Sequence, residues 1–271
     1  MTASLRLGRI AGIPVGASWS VLLIAALFAW SLAGSILPGL VPGLVPSTYW
    51  AAAVVATGLF LGSLLAHEVG HALVARRAGL RVRGITLWLL GGVAQLEDEP
   101  ASPRDDLRVA IVGPAISLAL AVGFGVAAAG LALLGAPALA VAVLGWLAVA
   151  NVALALFNLI PAAPLDGGRV LRALLASRLG FVRATEIAAF IGQGFAFALG
   201  IVGFFGIPGL FGPNLVLIFI AIFVYLAASA EAHSVALRAM SRGVQAGRAS
   251  IRQAASPAIS GCENEVPLPV E

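Results

Sequence analysis

The sequence has little charge. Only 10% of its 271 residues are charged, whereas 61% are hydrophobic, and the mean hydropathy is +1.04. Soluble globular domains contain about 25% charged residues, so this composition excludes that class. Several apolar runs reach the length of a membrane-spanning helix, and none alternates apolar and polar residues with a sustained period of two. The chain is therefore predicted to be an all-α polytopic membrane protein.

Cysteine is almost absent and lysine is missing. The single cysteine, Cys262, excludes an intramolecular disulfide framework and a cysteine-based zinc site. All sixteen basic residues are arginines, and no basic patch is interleaved with aromatic residues, so no nucleic-acid partner is expected. Histidine is also scarce, with three in the chain, and its placement is therefore informative.

Two of the three histidines lie in one HExxH motif, His67-Glu68-Val69-Gly70-His71, within the apolar run 49–75. Ionisable groups in a bilayer cost about 2.5–3.5 kcal/mol each, and a bound metal ion would offset that cost. Residues i and i+4 share a helix face, so His67 and His71 can bind one ion. Glu68 lies about 100° around the helix from His67, within reach of a water molecule at the metal. The motif predicts a zinc site.

Six membrane spans are predicted. They cover approximately residues 15–37, 49–75, 107–134, 139–157, 184–205 and 214–230. Between the second and third spans, two short apolar runs flank Gly91-Gly92, which predicts a membrane-associated β-hairpin or a re-entrant loop. Residues 1–239 are expected to form the membrane core, with a short lead before the first span, and residues 240–271 a flexible cytoplasmic tail. With both termini in the cytoplasm, all sixteen arginines fall on the cytoplasmic side, as the positive-inside rule requires.

The end of the fourth span supplies a candidate third ligand. Two prolines and two glycines between residues 161 and 168 stop the helix there, close to Asp166. This end faces the same membrane side as the end of the second span, and a catalytic zinc usually takes three protein ligands, so Asp166 is predicted to complete the set. The alternative is a turn in which Asp166 is the N-cap of a helix over residues 169–179. His233, at the end of the last span, is expected to be interfacial.

These motifs together are specific. An HEVGH motif in a span, followed by Asn158-x-x-Pro-x-x-Pro-Leu-Asp166-Gly-Gly-Arg, resembles the site-2 protease family of intramembrane zinc metalloproteases, in its compact six-helix prokaryotic form. The resemblance covers about residues 5–240 and includes Gly91-Gly92 and Gly113-Pro114-x-x-Ser117. It implies one zinc ion bound by His67, His71 and Asp166, with Glu68 as the catalytic acid and base. It also implies that Asn158 holds the substrate or the oxyanion.

The activity implied by this resemblance is hydrolysis of peptide bonds within or near transmembrane segments of substrate proteins in the cell membrane. A helical substrate hides its scissile carbonyl and has to unwind, so residues 87–96 are expected to offer it a strand edge. A transporter or channel with a broken-helix binding site is the alternative, but the sequence has no second matching break. A non-proteolytic scaffold that keeps the motif as a relic is expected to lose Glu68 first. No feature of the sequence indicates an oligomeric state.

Overall fold

The computed structural model describes residues 5–88, 91–96, 102–208, 212–235 and 237. Within them, six helices are long and apolar enough to cross a membrane. They are α1 (Ser20–Leu40), α2 (Pro46–Arg77), α3 (Pro103–Leu133), α4 (Ala138–Asn158), α6 (Phe181–Phe205) and α7 (Leu215–Val235). A more polar helix, α5 (Asp166–Leu179), lies between α4 and α6. The predicted helical membrane fold with six spans is confirmed, whereas the predicted tail, 240–271, lies outside the described residues.

Within the described part of the chain, four short strands form one sheet. Its order is β1 (Leu5–Ile10), β2 (Ile13–Ala17), β3 (Val82–Trp88) and β4 (Gly91–Leu96). The pairs β1–β2 and β3–β4 are antiparallel, and β2 runs parallel to β3. The segment between the second and third spans is therefore a β-hairpin, which is one of the two forms predicted from the sequence. Its second strand, β4, lies at an edge of the sheet.

The segment before α1 differs from the prediction. The sequence predicts a first span that begins near residue 15, but residues 13–17 form β2 and the helix begins at Ser20. Ile13, Val15 and Ala17 are buried at alternate positions, as on the covered face of a strand, and Gly16 is buried as well. Val15 pairs with Ile85, a residue of a hairpin far along the chain. A short apolar segment next to an apolar helix gives no periodicity that would reveal such a partner.

The sheet covers the part of α2 that contains the HExxH motif. Ile13, Val15 and Ile85 pack with Ala72, one residue after His71. The turn between β1 and β2 adopts left-handed backbone angles at Ala11 (φ 48°) and Gly12 (φ 81°), as two-residue hairpin turns do. Arg76 at the end of α2 donates a 2.6 Å hydrogen bond to the carbonyl of Ala11. The hairpin is thereby fixed to the end of α2.

Helix α3 begins with a capped N-terminus. Ser102 is the N-cap, and its hydroxyl oxygen accepts a hydrogen bond from the backbone N–H of Asp105, while Pro103 takes the first helical position. The helix continues through Pro114. It packs against α2, α4 and α5. Helices α2 and α5 carry the candidate metal ligands, and α4 leads into the turn before Asp166.

Candidate metal centre

Helix α2 places both motif histidines in the interior of the protein. His67, Glu68 and His71 are all buried, with 2% of His67 exposed. The i, i+4 spacing brings the two Nε2 atoms to 3.1 Å from each other. The predicted convergence of the two imidazoles on one point is therefore present in the structure.

Asp166 lies opposite the two imidazoles. Its Oδ2 is 3.2 Å from Nε2 of His67 and 3.1 Å from Nε2 of His71. Helix α5 begins at Asp166 itself, its N-cap is Leu165, and no side chain caps its end. The alternative in which Asp166 caps a helix is therefore wrong, because its carboxylate points to the histidines instead of the helix N–H groups.

The two glycines after Asp166 allow the chain to fold back closely on the end of α4. A Cβ at Gly167 would clash with the carbonyls of Leu159 and Ile160, and one at Gly168 would clash with the backbone of Ala162 and Ala163. Only residues without a side chain fit at these two positions. The Gly-Gly pair therefore sets the position at which α5 starts.

The partners of the imidazoles determine which nitrogen is free. Nδ1 of His71 lies 2.6 Å from the carbonyl oxygen of Val109, and because a carbonyl only accepts, this Nδ1 carries the proton. Nδ1 of His67 lies 2.9 Å from Oγ of Ser117, which can accept in the same way. In neutral rings, both Nε2 atoms then present lone pairs to the space that they share with Asp166. Such outer hydrogen bonds are typical of metal-binding histidines.

The three donor atoms fit a tetrahedral metal ion. Their separations are 3.1, 3.1 and 3.2 Å. An ion held tetrahedrally by bonds of about 2.0–2.1 Å separates its ligands by about 3.3–3.4 Å, so small shifts would accommodate zinc and leave a fourth position for water. Two unprotonated nitrogens and a carboxylate repel one another at this distance, and a cation removes that repulsion. These three residues are a group of His, Cys, Asp or Glu side chains that could hold a metal ion.

The charge of Asp166 suits this role. Burial by itself would raise the pKa of the Asp166 carboxyl, but the contacts with His67 and then His71, which donate when their rings are protonated, outweigh burial and hold that pKa well below its usual value. The carboxyl group is therefore ionised, which is the form that binds a cation.

Gly113 of α3 leaves room for the two imidazoles. A Cβ at this position would clash with Nε2 of both His67 and His71. The sequence shows Gly113 in a Gly-Pro pair but gives no sign that the helix surface at this residue touches the metal site.

Glu68 contacts the edge strand of the sheet. A Cβ at Gly92 in β4 would clash with Cγ of Glu68, so the backbone of β4 lies directly against this side chain. The predicted acid and base is thus held between the histidine pair on its own helix and the strand predicted to receive substrate.

The other two residues singled out in the sequence lie elsewhere. Asn158 is the last residue of α4, half-buried, and its Nδ2 donates a 2.9 Å hydrogen bond to the carbonyl of Leu154 in its own helix. Its predicted contact with substrate stays a prediction. His233 is exposed, and its Nδ1 lies 2.8 Å from the carbonyl of Ser229. It is not part of the metal-ligand group formed by the described residues.

Sequence reasoning did not assign roles to the groups that orient the histidines. The carbonyl of Val109 has no residue-type signal, since any residue carries one. Ser117 was noted only as part of a Gly-Pro-x-x-Ser pattern. Its spacing of four residues from Gly113 places both on one face of α3, which is the signal that could have linked them to the site.

Comparison with known proteins gives consistent matches. Residues 55–136 and 135–199 match peptidase family M50. A Mycobacterium tuberculosis protein named as a zinc metalloprotease, Rip3, is 45% identical over 256 residues, which is 93% of this chain. A Synechocystis protein, also named as a zinc metalloprotease, is 38% identical over 208 residues, or 76% of this chain. The solved site-2 protease from Methanocaldococcus jannaschii superposes with a TM-score of 0.58 at 30% identity, covering 84% of this chain and 94% of that one.

The matched regions differ in how much of each relative they include. The chain spans 65% of the length of the Mycobacterium tuberculosis relative and 54% of the Synechocystis one. Almost the whole Methanocaldococcus jannaschii chain is covered.

Proposed function

Because this chain belongs to peptidase family M50, the site-2 protease family, we propose that it is an intramembrane zinc metalloprotease. It hydrolyses peptide bonds within or near the transmembrane segments of membrane-protein substrates. The observation that carries this proposal is the triangle of His67, His71 and Asp166 donor atoms, 3.1–3.2 Å on a side, in which both histidines come from a helix that is apolar enough to span a membrane. Glu68, buried beside this triangle, is the group that an HExxH hydrolase uses for proton transfer.

Zinc is the cofactor that this donor set fits, with one ion bound by His67, His71 and Asp166. Two imidazoles and one carboxylate form a typical set of three protein ligands for catalytic zinc. Bound zinc would lower the pKa of a water molecule and polarise the substrate carbonyl.

Proton transfer belongs to Glu68. Its carboxylate accepts the proton of the attacking water and later donates it to the leaving amine, and general acid–base catalysis of this kind contributes about 10²- to 10⁴-fold. Contact with Gly92 keeps the side chain in one position. Asn158, with its Nδ2 at the end of α4, would hold the substrate or the oxyanion once its bond to Leu154 is exchanged.

The unwound substrate adds as a strand to the edge of the sheet. β4 is an edge strand, and its residue Gly92 touches Glu68, so a peptide paired with β4 lies next to the proton-transfer group. Backbone hydrogen bonds to an edge hold an extended peptide without requiring a particular sequence.

Proline substitution in β4 tests this strand addition. Successive backbone N–H groups of a strand point to opposite sides. Of the two variants Val93→Pro and Ala94→Pro, one therefore removes an N–H that bonds to β3, and the other removes an N–H that faces the free edge of the sheet. The free-edge variant is expected to bind zinc as wild type does and to lose cleavage. Leu7→Pro, at the bulge in the opposite edge strand β1, is the control and should cleave normally. Normal cleavage by both β4 variants would exclude strand addition at this edge.

The membrane orientation follows from the arginines. Arg76 and Arg77 end α2, and Arg104 and Arg108 begin α3, so these charges mark one side of the membrane, which we assign to the cytoplasm. His67 lies nine residues before Arg76, about 13 Å from that side, close enough for water to enter. Both termini then lie in the cytoplasm.

Cys262 provides a test of this orientation, since it is the single cysteine of the chain. A membrane-impermeant thiol reagent should label it in inverted membrane vesicles and leave it unlabelled in intact cells. Labelling in intact cells before permeabilisation would place the C-terminus outside and contradict the assignment. A Cys262→Ser variant controls for reagent that reacts elsewhere.

Proteolysis itself is tested by reconstitution. Purified protein in liposomes is expected to cleave a reconstituted single-span substrate, to lose that activity with a zinc chelator and to regain it with added zinc. An activity that survives full removal of zinc would contradict the proposal. A transporter or channel is the weaker alternative, because the family of this chain is a peptidase family.

A further inference from the structure

A second cluster of charges lies in the interior near the metal centre. Asp106, in the first turn of α3, is only 1% exposed. Its carboxylate accepts two hydrogen bonds from Arg172, from Nε at 2.9 Å and from Nη2 at 3.0 Å, and two longer ones from Arg169, from Nη2 at 3.2 Å and from Nε at 3.4 Å. Arg172 is buried as well, and its Nη1 donates a 2.7 Å bond to Glu231 of α7.

This arrangement fixes geometry more than it adds stability. A buried ion pair gives up hydration on both sides, so it is a poor source of net stability. A guanidinium that forms two parallel bonds to one carboxylate fixes its distance and its orientation together. The pair of Arg172 and Asp106 therefore locks α5 to α3 in one register.

Helix α5 is the helix that begins with Asp166. Arg169 and Arg172 follow Asp166 by three and six residues, within the first two turns. Any sliding or rotation of α5 against α3 would move the Asp166 carboxylate away from the two imidazole nitrogens. The Asp106 contacts oppose that movement.

Helix α3 holds the histidines through the same face. Asp106, Val109, Gly113 and Ser117 are spaced by three, four and four residues, which places them along one side of the helix. Val109 accepts from His71, Ser117 contacts His67, and Gly113 lies against both rings. The helix that supplies no metal ligand thus contacts both ligand-bearing helices along a single face.

We propose that Asp106 is a positioning residue for the metal centre, which anchors α5 through Arg172 and Arg169 so that Asp166 meets His67 and His71. The inference rests on the proposed function, since it assigns Asp106 a role toward the zinc ligands. Asp106 is not part of the candidate metal-ligand group of the described residues, and it acts through α5.

The test is zinc affinity, measured on full-length purified protein by competition with a chelator. Asp106→Asn keeps the size of the side chain but removes the charge that binds both arginines. Its affinity for zinc is expected to fall about 10-fold or more, as for the loss of other groups that orient metal ligands. With zinc in excess, kcat should be reduced while KM is unchanged, because the substrate contacts are intact.

Two controls separate positioning from a general loss of charge. Glu231→Gln also removes one negative charge from Arg172 but leaves the Asp106 bonds in place. Arg178→Gln changes an exposed arginine of the same helix, α5. Both are expected to bind zinc within about twofold of wild type.

A third variant covers a failure to fold. Thermal melting of the metal-free form shows whether Asp106→Asn folds. If it does not fold, zinc affinity is measured on Arg172→Lys instead, because lysine keeps the positive charge and loses the bidentate geometry of arginine. It too should weaken zinc binding about 10-fold.

The role of Asp106 would be overturned if the folded variant, Asp106→Asn or Arg172→Lys, bound zinc as tightly as wild type. It would also be overturned if Glu231→Gln lost as much zinc affinity as that variant. A wild-type protein that binds no zinc would instead overturn the proposed function. The two failures are therefore distinguishable in the same titration.

Discussion

Glu68→Gln is expected to abolish cleavage and to leave zinc bound. Glutamine has nearly the size of glutamate, so the contact with Gly92 and the packing around the buried side chain are kept. The amide cannot accept the proton of the attacking water, and the rate should therefore fall about 10²- to 10⁴-fold. The measurement is the cleavage rate of a reconstituted membrane substrate, together with zinc content determined on the same preparation.

The combination of the two readouts gives this variant its value. Because Glu68 carries the proton but is not a metal ligand, its substitution should abolish cleavage without changing zinc binding. Glu186→Gln, an exposed acid on α6, serves as the control and should retain both. Cleavage by Glu68→Gln at the wild-type rate would remove the hydrolase mechanism, and loss of its zinc would place Glu68 among the ligands.

Gly113→Ala should abolish zinc binding although it changes no ligand. The added methyl group would occupy the space of Nε2 in both His67 and His71, so one or both rings have to turn away from Asp166. The loss in zinc affinity should exceed about 100-fold, because removal of a single orienting group already costs about 10- to 100-fold. Chelator competition on purified protein measures it.

Gly123→Ala is the matched control for this variant. It lies on the same helix, α3, with no atom near the position of the added Cβ, and a helical alanine should if anything stabilise the fold. Zinc should also raise the melting temperature of wild type and of Gly123→Ala but not of Gly113→Ala, since only a bound ligand stabilises the native state. Zinc affinity of Gly113→Ala equal to that of its control would contradict the close approach of α3 to the rings.

Local patterns made the fold and family of this protein predictable from its sequence. Apolar runs of spanning length give the six helices, and the i, i+4 spacing of His67 and His71 gives their common direction. The segment around Gly91-Gly92 forms a hairpin, one of the two predicted forms, although both glycines lie in β4. Each of these features is encoded within a few turns or strands of the chain.

Features that depend on distant pairing were missed. β1 and β2 precede the first span, and β2 pairs both with its local neighbour β1 and with β3, whose residues lie far along the sequence. The anchoring of α5 by Asp106 joins residues 63 and 66 positions apart. In the sequence, Asp106 looks like an ordinary acidic residue in the first turn of a helix. Only the fold shows that Arg172 packs against it.

The position of Asp166 shows how much such context matters. An aspartate before two glycines at the start of a helix fits an N-cap equally well, and only the contact with both imidazoles distinguishes the two. The close approach of Gly167 and Gly168 to the backbone after α4 lets α5 start at Asp166 and supports that contact.

X-ray absorption at the zinc edge of the purified, zinc-loaded protein tests the central claim most directly. We expect one zinc per chain, coordinated by two imidazoles and by oxygen at about 2.0 Å, without sulfur. In Asp166→Asn the bound zinc should be lost or its oxygen shell altered. A shell that contains sulfur or a third imidazole, or one unchanged in Asp166→Asn, would contradict a zinc site made by His67, His71 and Asp166.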